Sequence, residues 1–160
     1  MSTYPAVLDP ASSSRMMWFD KSDRRALFGD IRQETVDLCD GRVLEVAPDV
    51  VMDFRAMPFE DDTFYHVVFD PPHLKSLGAD SWTAAKYGRL LPGWEDDLRL
   101  GFAECFRVLR PGGTLIFKWN EDQIPVSQVL ALTPEKPLYG HRSGRASKTH
   151  WISFIKDGTP

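Results

Sequence analysis

Glu104-Cys105-Phe106-Arg107-Val108-Leu109-Arg110-Pro111-Gly112-Gly113-Thr114-Leu115-Ile116-Phe117 packs a helix end, a turn and a buried strand into one stretch. Upstream of the turn, Leu98, Phe102, Cys105 and Leu109 recur at i, i+4, i+7 and i+11, one face of a helix. That spacing predicts an amphipathic helix over Trp94–Arg110, stopped by Pro111-Gly112-Gly113. Thr114 to Trp119 is then a short, mostly apolar run, as expected of a strand inside a parallel sheet.

Four further apolar runs precede this unit. They are Ala6-Val7-Leu8, Ala26-Leu27-Phe28, Val50-Val51-Met52 and Tyr65 to Phe69. Short strands alternating with longer polar or helical stretches predict an α/β domain with a mostly parallel, Rossmann-like sheet. Helices are expected on both of its faces. Only a short stretch separates the first two runs, so the helix between them is expected to be short or missing. Ser127 to Leu132 suits one more short helix, and Pro137–Tyr139 with Thr149–Lys156 suits a closing antiparallel hairpin.

Each of the four early runs is followed within two residues by an aspartate: Asp9, Asp30, Asp53 and Asp70. Aspartate is common in turns and at helix starts. An ordered series of them at strand ends has a second meaning, because open parallel sheets bind ligands beyond the carboxyl ends of their strands.

The chain has 160 residues, a size expected of one domain over 1–160, with 42% apolar and 26% charged residues. A formal charge of −4 argues against a protein whose main task is coating nucleic acid, without excluding a local basic patch. Cys39 and Cys105 have no metal-binding or disulfide spacing, and no metal is expected. No apolar run nears the ~20 residues of a membrane span, and no secretory signal is apparent, so no membrane partner and a cytoplasmic location are expected. A homo-oligomer is compatible with the sequence.

Val67-Val68-Phe69-Asp70-Pro71-Pro72-His73 carries the most chemistry. Two prolines after a buried strand cannot serve the ladder, because proline lacks the N–H and has a fixed φ. They form a rigid corner that can hold the Asp70 carboxylate and backbone carbonyls as fixed acceptors. An exocyclic amine needs such acceptors if its lone pair is to turn toward an electrophilic methyl group, and positioning of that kind contributes up to ~7–11 kcal/mol.

Asp70-Pro71-Pro72-His73 resembles the Asp/Asn-Pro-Pro-aromatic motif of amino-methyltransferases, above all the N6-adenine enzymes of DNA and RNA. The resemblance implies catalytic positioning by Asp70, Pro71 and Pro72, with His73 where the family stacks an aromatic ring on the flipped base. Glu104 to Phe117 is similar to the scaffold stretch before the fifth strand of class I S-adenosylmethionine (SAM) methyltransferases. Asp53-Phe54-Arg55-Ala56-Met57-Pro58-Phe59-Glu60-Asp61-Asp62-Thr63-Phe64 is similar to a stretch of the same superfamily, which implies that Asp53 reaches the cofactor's adenine amino group with Phe54 or its backbone nearby. Asp30 stands where the superfamily's acidic residue takes the ribose hydroxyls.

Asp9-Pro10-Ala11-Ser12-Ser13-Ser14-Arg15 occupies the place of the family's glycine-rich cofactor loop but holds no glycine. Small residues still allow close approach, whereas positions with positive φ become costly. SAM is therefore expected to bind in the micromolar range or weaker. The continuation Ser14-Arg15-Met16-Met17-Trp18-Phe19-Asp20-Lys21 resembles small phage-type methyltransferases. Arg15 either pairs with the cofactor's carboxylate or is a surface arginine. Together these resemblances cover roughly residues 5–120.

Trp82, Lys86 and Tyr87, with Trp94, either form a lid over the substrate or pack against the helix behind them. His141, Arg142, Arg145, Lys148 and His150 suit either phosphate contacts or a solvated hairpin loop. The expected activity is SAM-dependent methylation of an amino nitrogen, with adenine N6 of DNA or RNA foremost and a nucleic acid as partner. A small-molecule or protein methyltransferase, and a SAM-binding module without turnover, are the alternatives.

Overall fold

Seven strands form one sheet, and the order in which they lie explains where the chain can bind. A computed structural model describes residues 3–75 and 88–158. The strands are β1 (Val7–Asp9), β2 (Ala26–Asp30), β3 (Glu34–Asp37), β4 (Val43–Val46), β5 (Val50–Val51), β6 (Phe64–Phe69), β7 (Leu109–Asn120), β8 (Tyr139–Arg142) and β9 (Thr149–Ile155). The described helices are α1 (Trp94–Val108) and α2 (Val126–Leu130). In the large sheet the order is β5-β2-β1-β6-β7-β9-β8. Pairing is parallel from β5 to β7 and antiparallel for β7–β9 and β9–β8. The chain runs outward from β1 to β5, then returns to lay β6 on the other side of β1, a topological switch point.

α1 buries the stripe expected of it: Leu98, Phe102 and Cys105 are inaccessible or nearly so. They meet the apolar side of β6 and β7, where the rings of Phe69 and Phe117 lie 5.4 and 4.9 Å from that of Phe102. Glu95, Asp96 and Asp97 in the first turn and Arg107 in the last complement the helix dipole.

The expected helix end is corrected by two residues. Leu109 is already extended and pairs with Phe64, so Arg110 belongs to β7 and not to the helix. Pro111-Gly112-Gly113 is an outward bulge inside that strand, and the register resumes at His66 opposite Thr114. Gly112 has φ 75°, and a Cβ on Gly113 would sit 2.9 Å from the Tyr65 carbonyl, so glycine suits both positions.

Residues 10–25 form turns and no helix. Between β2 and β5 lies the antiparallel β3–β4 hairpin, which the apolar runs did not announce because β3 is mostly exposed. Its signal is the Asp40-Gly41 turn, with Gly41 at φ 81° and its N–H donating to the Leu38 carbonyl.

Gly101 lets α1 sit close to the sheet. A Cβ there would stand 2.7 Å from Cδ2 of Phe54 and 2.8 Å from Cζ of Phe69. Alanine is the better helix former by about 1 kcal/mol. Overpacking nevertheless outweighs that gain, and Gly101→Ala is expected to lower stability by roughly 1–2 kcal/mol in a urea melt. Because Phe54 also lines the site described next, ligand binding should weaken alongside.

Candidate active site

A cavity of about 550 Å³ opens beyond the carboxyl ends of β2, β5 and β6. Its volume falls in the ~300–1,000 Å³ range of small-molecule sites. The described lining joins three sequence segments with separate expected roles. Pro10, Ala11 and Ser12 come from the loop after β1; Asp30, Asp53 and Phe54 from the ends of β2 and β5; Asp70, Pro71 and Pro72 from the corner after β6.

Asp9 sits behind this surface. It is fully buried, with Oδ2 accepting from Trp18 Nε1 at 2.7 Å and Oδ1 from the Ala11 amide at 3.3 Å. Burial raises its pKa to about 7, and the neighbouring Asp70 and Asp30 carboxylates push the same way, against those hydrogen bonds. Its contacts make it the post around which the loop after β1 folds.

That loop takes its turn without glycine. Ser13 and Arg15 adopt φ of 46° and 56°. The Ser13 amide donates to Asp30 Oδ2 at 2.8 Å, and Ser13 Oγ accepts from Arg32 at 3.1 Å. Left-handed backbone costs a residue with a Cβ roughly 1–2 kcal/mol. Ser13→Gly should release that strain, lose the Arg32 contact, and raise Tm by about 1–4 °C in calorimetry.

Arg15 points away from the cavity. Its guanidinium donates to the Lys21 and Ala47 carbonyls at 2.6 and 2.8 Å, pairs with Asp49, and lies 3.9 Å over the Phe28 ring. Of its two expected roles, pairing with a cofactor carboxylate is not the one this arrangement favours; Arg15 stitches the loop to the segment before β5.

Asp53 is partly exposed and grips Arg55, which bridges to Asp97 at 2.9 Å. The Arg55 guanidinium holds the Asp53 carboxyl below its usual range. Asp70 is different. Burial raises its pKa, and Lys118, whose Nζ lies 2.9 Å from Oδ2, opposes that rise. His73 does not border the cavity; its ring meets Trp119 edge-on at 6.1 Å, and burial pushes its imidazole below the ordinary value. Trp82, Lys86 and Tyr87 lie outside the described residues.

Lys118, Arg32, Arg89, Met16 and Met17 line the cavity without having been singled out by sequence. The signal for Lys118 was available: a lone cation in the apolar run Leu115-Ile116-Phe117-Lys118-Trp119. The basic hairpin residues sit elsewhere. Arg142 and His150 face Glu121 at 3.0 and 2.9 Å, and Lys148 pairs with Asp122, which neutralises much of that loop. Among the described residues no cluster suits a metal ion, and no helix is long and apolar enough to cross a membrane.

No protein-family model and no curated protein matches the chain. Solved structures do. A protein from Pyrococcus horikoshii OT3 superposes with TM-score 0.63 at 15% identity, over 97% of this chain and 83% of that one. A SAM-dependent methyltransferase from Methanosarcina mazei gives 0.58 at 10% identity, over 98% and 94%. Burkholderia thailandensis 1,6-didemethyltoxoflavin-N1-methyltransferase, solved with 1,6-didemethyltoxoflavin and S-adenosylhomocysteine, gives 0.54 at 14%, over 97% and 72%. The chain has the Rossmann-like fold of these proteins, with a mostly parallel sheet and an antiparallel hairpin.

Proposed function

We propose that the protein is a SAM-dependent methyltransferase acting on an amino nitrogen, with adenine N6 of DNA or RNA as its target. One observation carries the reading: a single cavity joins the loop after β1, Asp30 and Asp53 to the Asp70-Pro71-Pro72 corner. A cofactor half and an acceptor half thus share one space.

The donor set suits SAM, which carries a carboxylate, an ammonium and a sulfonium. Four carboxylates (Asp30, Asp53, Asp70, Asp97) and four cations (Arg32, Arg55, Arg89, Lys118) border the cavity among the described residues. Ser12 Oγ, on the same wall, is buried with no hydrogen-bond partner among them, a group that a polar ligand would satisfy. Asp30 would hold the ribose hydroxyls, Asp53 and Phe54 the adenine, and Pro10 to Ser12 the amino-acid end. When bound, SAM supplies an electrophilic methyl group.

The remaining work is positioning. Asp70 accepts one amino hydrogen of the substrate, the backbone carbonyls of the Pro71–Pro72 corner accept the other, and the lone pair is left facing the cofactor half. The prolines keep this corner rigid, so little ordering is needed when the amine arrives. His73, the next residue after the corner, packs its ring edge-on against Trp119 and does not border the cavity.

Incubation with isotopically methyl-labelled SAM and, in parallel, DNA, RNA, protein extract and a metabolite pool tests the reading by mass spectrometry. Labelled N6-methyladenine in a nucleic acid is expected. Label confined to protein or metabolites would remove the nucleic-acid assignment, and SAM binding without transfer to any pool would leave a binding module.

A further inference from the structure

Lys118 is out of place for a packing residue. It follows Leu115 and Phe117 in β7, both fully buried on the α1 side, and strand alternation sends it to the opposite face. There its Nζ sits 2.9 Å from Asp70 Oδ2, with side-chain exposures of 22% and 16%, and the Trp151 ring lies 5.4 Å away. An apolar residue of similar volume would suit a largely desolvated strand position at least as well as this pair does. Packing therefore does not account for it.

What the pair presents to the cavity is specific. Asp70 Oδ1 takes no hydrogen bond among the described residues. Lys118 has three N–H donors, of which Asp70 occupies one. Beside the proline corner the wall therefore offers an acceptor and a donor next to each other. The complementary edge is an uncharged exocyclic amine with a ring nitrogen beside it. An alkyl ammonium, such as a lysine side chain, lacks the ring acceptor and would bring a second positive charge toward Lys118.

We propose that Lys118 is a specificity-determining residue, donating to the ring nitrogen that flanks the acceptor amine and rejecting protonated alkyl amines. This rests on the amino-methyltransferase reading above. Asp70 orients the amine, and Lys118 identifies the ring that carries it.

The probe is a single-stranded DNA oligonucleotide with one adenine, compared with otherwise identical oligonucleotides carrying 1-deazaadenine or 7-deazaadenine. Wild-type kcat/KM is expected to fall at least about 30-fold for one of the two analogues. In Lys118→Met the parent oligonucleotide should lose a similar factor, the sensitive analogue should lose little more, and SAM affinity should stay within about threefold. Lys118→Arg, which keeps charge and donors, should recover most of the discrimination. A wild type that methylates both analogues as well as adenine overturns the inference whether or not the variants fold. So does a Lys118→Met loss of equal size on parent and analogues, which would mark a merely structural ion pair. A wild type inactive on the adenine probe both as DNA and as the matching RNA fails one step earlier, and both readings fall together.

Discussion

Asp70→Ala is expected to reduce methyl transfer by about 10³-fold or more while SAM affinity stays within several-fold of wild type. A factor of that size corresponds to about 4 kcal/mol of transition-state stabilisation, well inside the ~7–11 kcal/mol that orientation can supply. The split follows from placement. Asp70 stands at the proline corner, whereas Asp30 and Asp53 stand at the far strand ends of the same cavity. Asp30→Ala and Asp53→Ala should show the reverse pattern, weakening SAM binding first. Asp53→Ala also leaves Arg55 with Asp97 as its remaining carboxylate partner, so its fold should survive. Removal of Asp70 leaves Lys118 largely buried without its carboxylate, a destabilising arrangement. Asp70→Asn keeps the shape and one acceptor, so a thermal melt of both variants separates lost folding from lost chemistry. Full turnover by a folded Asp70→Ala variant on the wild-type substrate would reduce the corner to a turn.

The parts of the site legible in the sequence are those fixed by backbone. Strand-ending aspartates and paired prolines are local features, and a parallel sheet brings strand ends together whatever the side chains do afterward. The Glu104–Arg107 spacing was legible as scaffold, and its physical role is now specific. Glu104 accepts from the Met57 amide at 2.7 Å, and Arg107 donates to the Met57 and Phe59 carbonyls, tying the segment after β5 to α1. What sequence could not give was direction. Arg15 reads the same whether it faces a cofactor or the Ala47 carbonyl, because its long side chain spans either distance. The ion pair between Asp70 and Lys118 joins residues far apart in sequence through the Phe69–Phe117 register, which no local pattern encodes. The Asp9–Trp18 contact was hidden for a related reason: a loop of turns has no period from which to infer which side chain closes over which.

Asp9→Asn is expected to stabilise the protein most at pH 8, by less than half as much at pH 5, and to leave it nearly unchanged near pH 3. Asp9 is completely buried, and its pKa rises from 3.8 to about 7, chiefly through burial, with Asp70 and Asp30 adding to the rise and Trp18 opposing it. The folded state therefore binds this proton more tightly than the unfolded chain does. Below about pH 4 both states are protonated and the fold bears no penalty. Between about 4 and 7 the unfolded chain has released the proton and the fold has not, so stability falls as pH rises. Above about 7 the whole difference is lost, with an upper limit near 4 kcal/mol for a shift of about three units. Asparagine keeps an acceptor for Trp18 Nε1 and removes the ionisation. A gain of roughly 1–3 kcal/mol at pH 8, or about 2–10 °C in Tm, is the expected result. His66 and His73, both held below their ordinary values by burial, favour folding as pH rises through the same window. The measured quantity must accordingly be the difference between variant and wild type at each pH. Equal melting temperatures at pH 8 would show that Asp9 bears its charge there without cost, and that the three clustered carboxylates do not compete for ionisation.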